Sequence, residues 1–246
     1  MRIIVTNCNT TQEMTEEIVR GARAAAAPGT TVAGLTPAWG PESAEGWLDS
    51  YLSAAAVLDT LRTYDGPPYD AVVMAGFGEH GREGVRELVD VPVVDITEAA
   101  AHLACLLGRR YGVVTTLDRS RGQIEDSLET AGVARNCALV TGTGLGVLDL
   151  ADDPARTEAA FLSAAERARE AGAEVLVLGC AGMTGLQRVV GEKLGLPVVD
   201  GVGAAVKLAE SLVTLGLTTS RVGGYGKPLT KTRRWGRPGG GEAAEG

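Results

Sequence analysis

The chain repeats itself, and that repeat limits its fold more than any other feature. VPVVDITEAA begins at Val91 and LPVVDGVGAA at Leu196, an offset of 105 residues. Upstream, VVMAGFG closes one hydrophobic run and VLVLGCAG closes another. Aligning their ends sets Gly76 against Cys180, an offset of 104. GVVTT at Gly112 answers RIIVT at Arg2. A chain of 246 residues that carries such a unit twice folds as two similar lobes. Within each unit, short β-branched runs alternate with alanine-rich stretches. Strands are expected over residues 2–6, 31–35, 71–75, 93–95, 111–115, 137–142, 175–178 and 198–200. Helices are expected over 11–27, 44–63, 98–108, 121–131, 153–171, 186–194 and 204–215. That alternation predicts parallel βαβ units covered on both faces. The expected fold class is α/β, with two pseudo-symmetric lobes, each a four-stranded parallel sheet flanked by helices. Ligands of such sheets bind beyond the carboxyl ends of the strands, so the Gly76 and Cys180 turns should meet at a cleft between the lobes.

Composition narrows the chemistry. The net charge of −8 argues against a nucleic-acid or anionic-membrane partner. Aromatic residues make up only 4%, too few for base-stacking platforms. His80 and His102 are the only imidazoles, which excludes a multi-histidine metal site; no metal and no cofactor are expected. Cys8, Cys105, Cys137 and Cys180 form no CxxC pair. The start MRIIVTNCNTT has no signal-peptide character, and no run of 18 apolar residues occurs. The expectation is a cytoplasmic protein with reduced thiols and a small-molecule substrate. After about Arg221 the chain turns Gly-, Pro- and charge-rich, so 226–246 is expected to be a flexible tail.

Cys180 is the candidate for chemistry. It lies in LGCAG, directly after a buried strand, between Gly179 and Gly182. Small neighbours let a substrate reach the sulfur and expose N–H groups, which should lower the thiol pKa and make a thiolate able to take a proton from carbon. The plainer alternative is a packed, apolar cysteine. His102 and Cys105 share a helix face and read as packing residues, as does Cys137 at a strand start. Trp39 and Trp47 bracket GPESAEG, either walling the cleft or covering the core. GTGLG at 142–146 lacks the GKS/T or GxGxxG context of a nucleotide loop.

TNCNTT at the start, GPESAEG at 40–46, GVVTTL at 112–117, LGCAGM at 178–183 and PVVDGVGAAVKLAE at 197–210 together resemble the aspartate/glutamate racemase superfamily, in particular its hydantoin and allantoin racemase branch. The resemblance spans roughly residues 1–225. It implies cofactor-independent inversion at a carbon next to a carbonyl, with thiols on opposite faces, and a homo-oligomer. It implies a first lobe of 1–97 plus 205–225 and a second of 98–204. It also implies that Cys180 is an acid/base, that backbone around Gly78 and Gly182 binds carbonyl oxygens, and that Asn9, Thr115 and Thr116 hold a small polar ring. Gly76, Phe77, Gly179 and Met183 fall in the matched turns, and Glu45 either holds a loop or meets a substrate N–H.

The chain departs from that pattern at one position. Where the branch has a cysteine, in an ACFGDPG-like turn, this chain has Gly76. His80 or Glu79 of the same turn, or Cys8 between Asn7 and Asn9, are candidate second acid/base groups. Three functions stay open: a racemase or isomerase, a one-cysteine enzyme that protonates an enolate as arylmalonate decarboxylases do or acts like a maleate isomerase, and a binding protein that has kept the cleft without the chemistry.

Overall fold

The computed structural model describes residues 1–183 and 186–235. Its strands are β1 (Arg2–Thr6), β2 (Thr31–Leu35), β3 (Ala71–Met74), β4 (Val93–Asp95), β5 (Tyr111–Thr115), β6 (Cys137–Gly142), β7 (Val175–Leu178) and β8 (Val198–Val199). Its helices are α1 (Gln12–Ala25), α2 (Trp47–Arg62), α3 (Arg82–Leu88), α4 (Ile96–Leu107), α5 (Arg121–Thr130), α6 (Pro154–Glu170), α7 (Gln187–Leu194) and α8 (Gly201–Thr214). Two four-stranded sheets form, in the orders β2-β1-β3-β4 and β6-β5-β7-β8, with every pairing parallel. The sequence repeat is thus a repeat of topology.

Side-chain alternation along the strands explains the layers. Ile3 and Val5 of β1, and Val175 and Val177 of β7, face one core that also takes in Ala99, Ala100 and Ala104 of α4 and Val202, Ala205 and Ala209 of α8. The in-between residues point outward. Ile4, Val72 and Met74 pack with Val57, Leu61 and Val85 beneath α2 and α3. Leu176 and Leu178 pack with Phe161, Ala164 and Val190 beneath α6 and α7. The period of two in each strand therefore feeds a shared inner layer and two separate outer ones. The inner faces of α4 and α8 are rich in small residues, Ala99, Ala100 and Ala104 on one and Ala204, Ala205 and Ala209 on the other, which lets the helices lie close.

The repeated PVVD segments do the same work twice. Asp95 caps α4, accepting from the Thr97 and Glu98 N–H groups in a full capping box with Glu98. Asp200 caps α8, accepting from the Gly203 N–H at 2.9 Å. Such caps stabilise a helix by ~1 kcal/mol each. Immediately after them, Ile96 and Gly201 stand at equivalent places in the two halves, and they touch: a Cβ on Gly201 would lie 2.9 Å from the Ile96 carbonyl oxygen. Equivalent residues can meet only on the axis that relates the halves, so that axis passes between the starts of α4 and α8.

Two expectations need correction. Helix α3 was not expected, because its seven residues REGVREL sit in a glycine-bounded turn and are too short to show a period. Helix α2 begins at Trp47 rather than 44, which leaves 36–46 as a loop. The segment up to 235, which includes the start of the expected tail, lies along the first lobe. Arg221 donates to the Arg86 and Glu87 carbonyls, Lys227 pairs with Asp90 at 3.0 Å, and Arg62 stacks on Trp235 at 5.0 Å. Polar side chains spaced along this Gly/Pro-rich segment reach the first lobe, with a single 3-10 turn at Gly223–Tyr225. Residues 236–246 lie outside the described residues.

Candidate functional site

The carboxyl ends of β1, β3, β5 and β7 converge on one small cavity between the lobes. Cys8, Asn9, Gly76, Phe77, His80, Thr115, Thr116, Gly179 and Cys180 all line it. So do Asn7, Met14, Ala44, Ser120, Gln123 and Val147, which the sequence reading left out. The cavity measures about 40 Å³, several times the ~10–15 Å³ that one water needs.

Asn7 organises the first turn. Its side-chain oxygen accepts from the Cys8 N–H at 2.8 Å, and its amide donates to Asn9 Oδ1 at 2.8 Å and to Thr15 Oγ1 at 3.1 Å. Asn9 Oδ1 in turn accepts from the Thr11 N–H at 3.0 Å. This buried network replaces the missing strand ladder at the end of β1 and fixes the direction of the Cys8 side chain.

The turn after β3 is held from both lobes. The Gly78 N–H donates to Thr97 Oγ1 at 2.8 Å, and Ser127 Oγ donates to the Gly78 carbonyl at 3.2 Å. Gly78 has φ 119° and Gly81 φ 95°, conformations open to glycine and strained for other residues. Gln123 donates to Ser50 Oγ at 2.7 Å and to the Glu79 carbonyl at 3.2 Å. His80 is buried, with Nδ1 3.4 Å from Ser50 Oγ. Burial pushes its pKa down to about 4, against the opposing pull of a hydrogen bond to the Phe77 backbone, so the ring is neutral at pH 7.

Gly76 is where the turns press together. A Cβ built there would lie 2.3 Å from His80 Cδ2, 2.8 Å from Cys8 Cβ and 2.9 Å from Cys8 Sγ. The volume a side chain at 76 would need is already filled by Cys8 and His80.

On the second lobe, Thr115 Oγ1 donates to the Gly179 carbonyl at 3.1 Å and shapes the turn that carries Cys180. Contrary to the sequence expectation of a lowered pKa, burial pushes the Cys180 thiol up to about 11. The Gly182 backbone offsets part of that through a hydrogen bond to the sulfur, and the Glu45 charge adds to the rise. Cys8 is pushed up to about 12, by burial first and by the electrostatic influence of Cys180 second. The two thiols therefore sense each other across the cavity.

Several expected roles are relocated. The Gly78 N–H is committed to Thr97 and the Gly182 backbone to Cys180, so neither is spare for a carbonyl oxygen. Met183 is fully buried in the outer core of the second lobe. Glu45 does not line the cavity but holds two residues that do: its carboxylate accepts from the Val147 N–H at 2.8 Å, and its carbonyl accepts from Ser120 Oγ at 3.2 Å. Trp39 donates to Asp59 and Trp47 stacks on Tyr51, both on the outside of α2. His102 is exposed, and Cys105 and Cys137 pack against the inner core.

Beneath the β3 turn lies a charge cluster. Arg82 is 1% exposed and faces Glu83 at 2.7 Å, with Glu79, Asp95 and Glu98 at 3.8–3.9 Å. Burial pushes the Asp95 carboxyl up to about 7, and the Arg82 guanidinium keeps it from rising further. Among the described residues no group of three or more His, Cys, Asp or Glu is placed to hold a metal ion. No described helix is long and apolar enough to cross a membrane.

Comparison with known proteins places this geometry. A family model described as Asp/Glu/Hydantoin racemase matches residues 3–209. A hydantoin racemase of Paenarthrobacter aurescens is 38% identical over 233 residues, covering 94% of this chain and 99% of that protein. The crystal structure of an allantoin racemase from Pseudomonas fluorescens is 53% identical with a TM-score of 0.93, covering 95% of this chain and 100% of that one. Arylmalonate decarboxylase, at 19% identity and a TM-score of 0.59 over 92% of this chain and 98% of its own, shares the fold.

Proposed function

The chain belongs to the Asp/Glu/hydantoin racemase family, and from that premise we propose that it inverts 5-substituted hydantoins, allantoin included, without a cofactor, using Cys180 as a thiol acid/base. The observation that carries this reading is the placement of Cys180, at the carboxyl edge of β7, facing a small polar cavity with the Gly182 backbone hydrogen-bonded to its sulfur.

The chemistry follows from the ring. The C5–H of a hydantoin is acidified by the neighbouring C4 carbonyl. Sulfur takes that proton, an S–H bond forms, and the electron pair of the broken C–H bond moves onto the carbonyl oxygen as an enolate. Asn9 and Thr116 are the side-chain donors placed to hold the ring, while the Thr115 hydroxyl hydrogen is taken by Gly179 and only its oxygen remains to accept. Enolate stabilisation by fixed donors in a water-poor site is the main source of rate. A cavity of about 40 Å³ must widen for the ring to enter. The bonds to move are those from Val147 and Ser120 to Glu45, since they tie the 36–46 loop of one lobe to the other.

The test is deuterium exchange. Each enantiomer of allantoin and of 5-methylhydantoin is incubated with enzyme in heavy water, with C5–H followed by NMR and optical rotation by polarimetry. Exchange with loss of rotation supports racemisation. Cys180→Ser should lower the rate by about 10²–10⁴, the share typical of a positioned acid/base. If it keeps most of the rate, Cys180 is not the acid/base.

A second reading is favoured by one observation: Gly76 stands where the resemblance sets a thiol, and the shared fold includes a decarboxylase. A one-cysteine enzyme that protonates an enolate on a single face would show exchange of one enantiomer without loss of rotation. Tight binding with no exchange would instead identify a binding protein.

A further inference from the structure

We infer that Cys8 is the second acid/base, so that the first lobe supplies its thiol from the end of β1 rather than from the end of β3. This rests on the racemase reading above. Inversion at carbon needs a proton taken from one face of a planar enolate and returned to the other, so the two groups must reach the ring from opposite walls. Cys180 comes from the second lobe, and Cys8 is the thiol that the first lobe turns into the same cavity.

Three observations agree. First, Cys8 Sγ would lie 2.9 Å from a Cβ on Gly76, so the sulfur occupies the space above the residue that pairs with Cys180 in the sequence repeat. Glycine at 76 is what admits it. Second, the backbone that carries Cys8 is held at the cavity by a side-chain network: Asn7 accepts the Cys8 N–H at 2.8 Å and ties the turn to Asn9 and Thr15. Third, the rival His80 presents its Cδ2 carbon toward Gly76, while its nitrogens face Ser50 and the Phe77 backbone.

Two sulfurs at one small cavity also solve a charge problem. Ionising one raises the cost of ionising the other, so the singly ionised pair is favoured. One thiolate and one thiol are the required reactants. From one enantiomer, Cys180 thiolate takes the C5 proton; Cys8 S–H then breaks, its proton joins C5 on the other face, and Cys8 is left as thiolate. The other enantiomer runs the steps in reverse. Proton exchange with water restores the starting pair.

Cys8→Ser and Cys180→Ser are compared with the unmodified chain in heavy water, using both enantiomers of allantoin and circular dichroism as the check of folding. Racemisation should fall by about 10²–10⁴ in each. The two variants should retain C5–H exchange for opposite enantiomers, because each keeps the thiol on a different face. His80→Gln should still exchange both. The inference is overturned if Cys8→Ser, folded, racemises within about threefold of the unmodified chain, or if His80→Gln loses exchange of one enantiomer only. If the Cys8 variant does not fold, the His80→Gln result decides alone. Failure of the unmodified chain to exchange either enantiomer would count against the racemase reading itself, not merely against Cys8.

Discussion

Gly76→Ala isolates the crowding at the site from backbone strain, because Gly76 does not have a positive φ. Alanine is conformationally permitted there, and only space opposes it. Carbon atoms pack best at about 3.5–4.0 Å, whereas the new methyl would sit 2.3 Å from His80 Cδ2 and 2.8 Å from Cys8 Cβ. Neither neighbour retreats cheaply. Cys8 is fixed by Asn7, and His80 is buried against Ser50. Overpacking of this kind costs about 1–3 kcal/mol, which for a domain of this size lowers the melting temperature by about 2–12 °C. The measurement is a thermal or urea melt beside Gly122→Ala as control. Gly122 sits early in α5 with nothing within 4 Å of its would-be Cβ, so alanine there should stabilise by up to about 0.5–1 kcal/mol. Opposite signs for the same substitution are the expected result. A double-mutant cycle with His80→Ala should show a coupling of about 0.5–3 kcal/mol that favours the double variant. Equal stability of Gly76→Ala and the unmodified chain, or additivity with His80→Ala, would refute the steric account.

Two further predictions concern charge. Glu45→Gln removes a negative charge that raises the Cys180 pKa, so the thiolate should form at lower pH and the rising limb of the kcat/KM–pH profile should move to lower pH; an unmoved or upward-shifted limb contradicts this. Arg82→Met strips the buried Asp95 of its cation and should cost about 3–5 kcal/mol near pH 8. Because the folded Asp95 pKa is raised above the unfolded value, the carboxyl favours the fold at low pH and loses that contribution as pH rises through about 7. The penalty of Arg82→Met should therefore shrink by pH 5, and urea melts at the two pH values would expose a penalty that does not.

The sequence made the strands legible because both faces of each sheet are covered, so β-branched runs carry no polar interruptions. The two lobes were legible because PVVD recurs, and the structure shows the reason for its terminal aspartates at Asp95 and Asp200, which cap the helices that follow. The cavity was partly legible. Turns following buried strands pointed to Cys8, Gly76 and Cys180, but the commitments of individual N–H groups were not visible. Gly78 looked like an open donor, but its N–H donates to Thr97, nineteen residues on. Gln123 and Ser50 escaped notice for the same reason. Each lies in an unremarkable helix and reaches the site only through tertiary packing. Asn7 had a usable signal, since an asparagine directly after a strand commonly fixes a turn through its own side chain.

The contact between Ile96 and Gly201 gives the molecule a fulcrum. The two helices that start there separate one sheet from the other, and a Cβ at 201 would drive into the Ile96 backbone rather than into a side chain that could swing aside. A glycine at this point acts as a shim of minimum thickness. Because α4 and α8 start directly after β4 and β8 of parallel sheets, this contact lies at the same strand ends as the turns that line the cavity. A residue that does not line the cavity thereby sets how closely the two helices approach beside it.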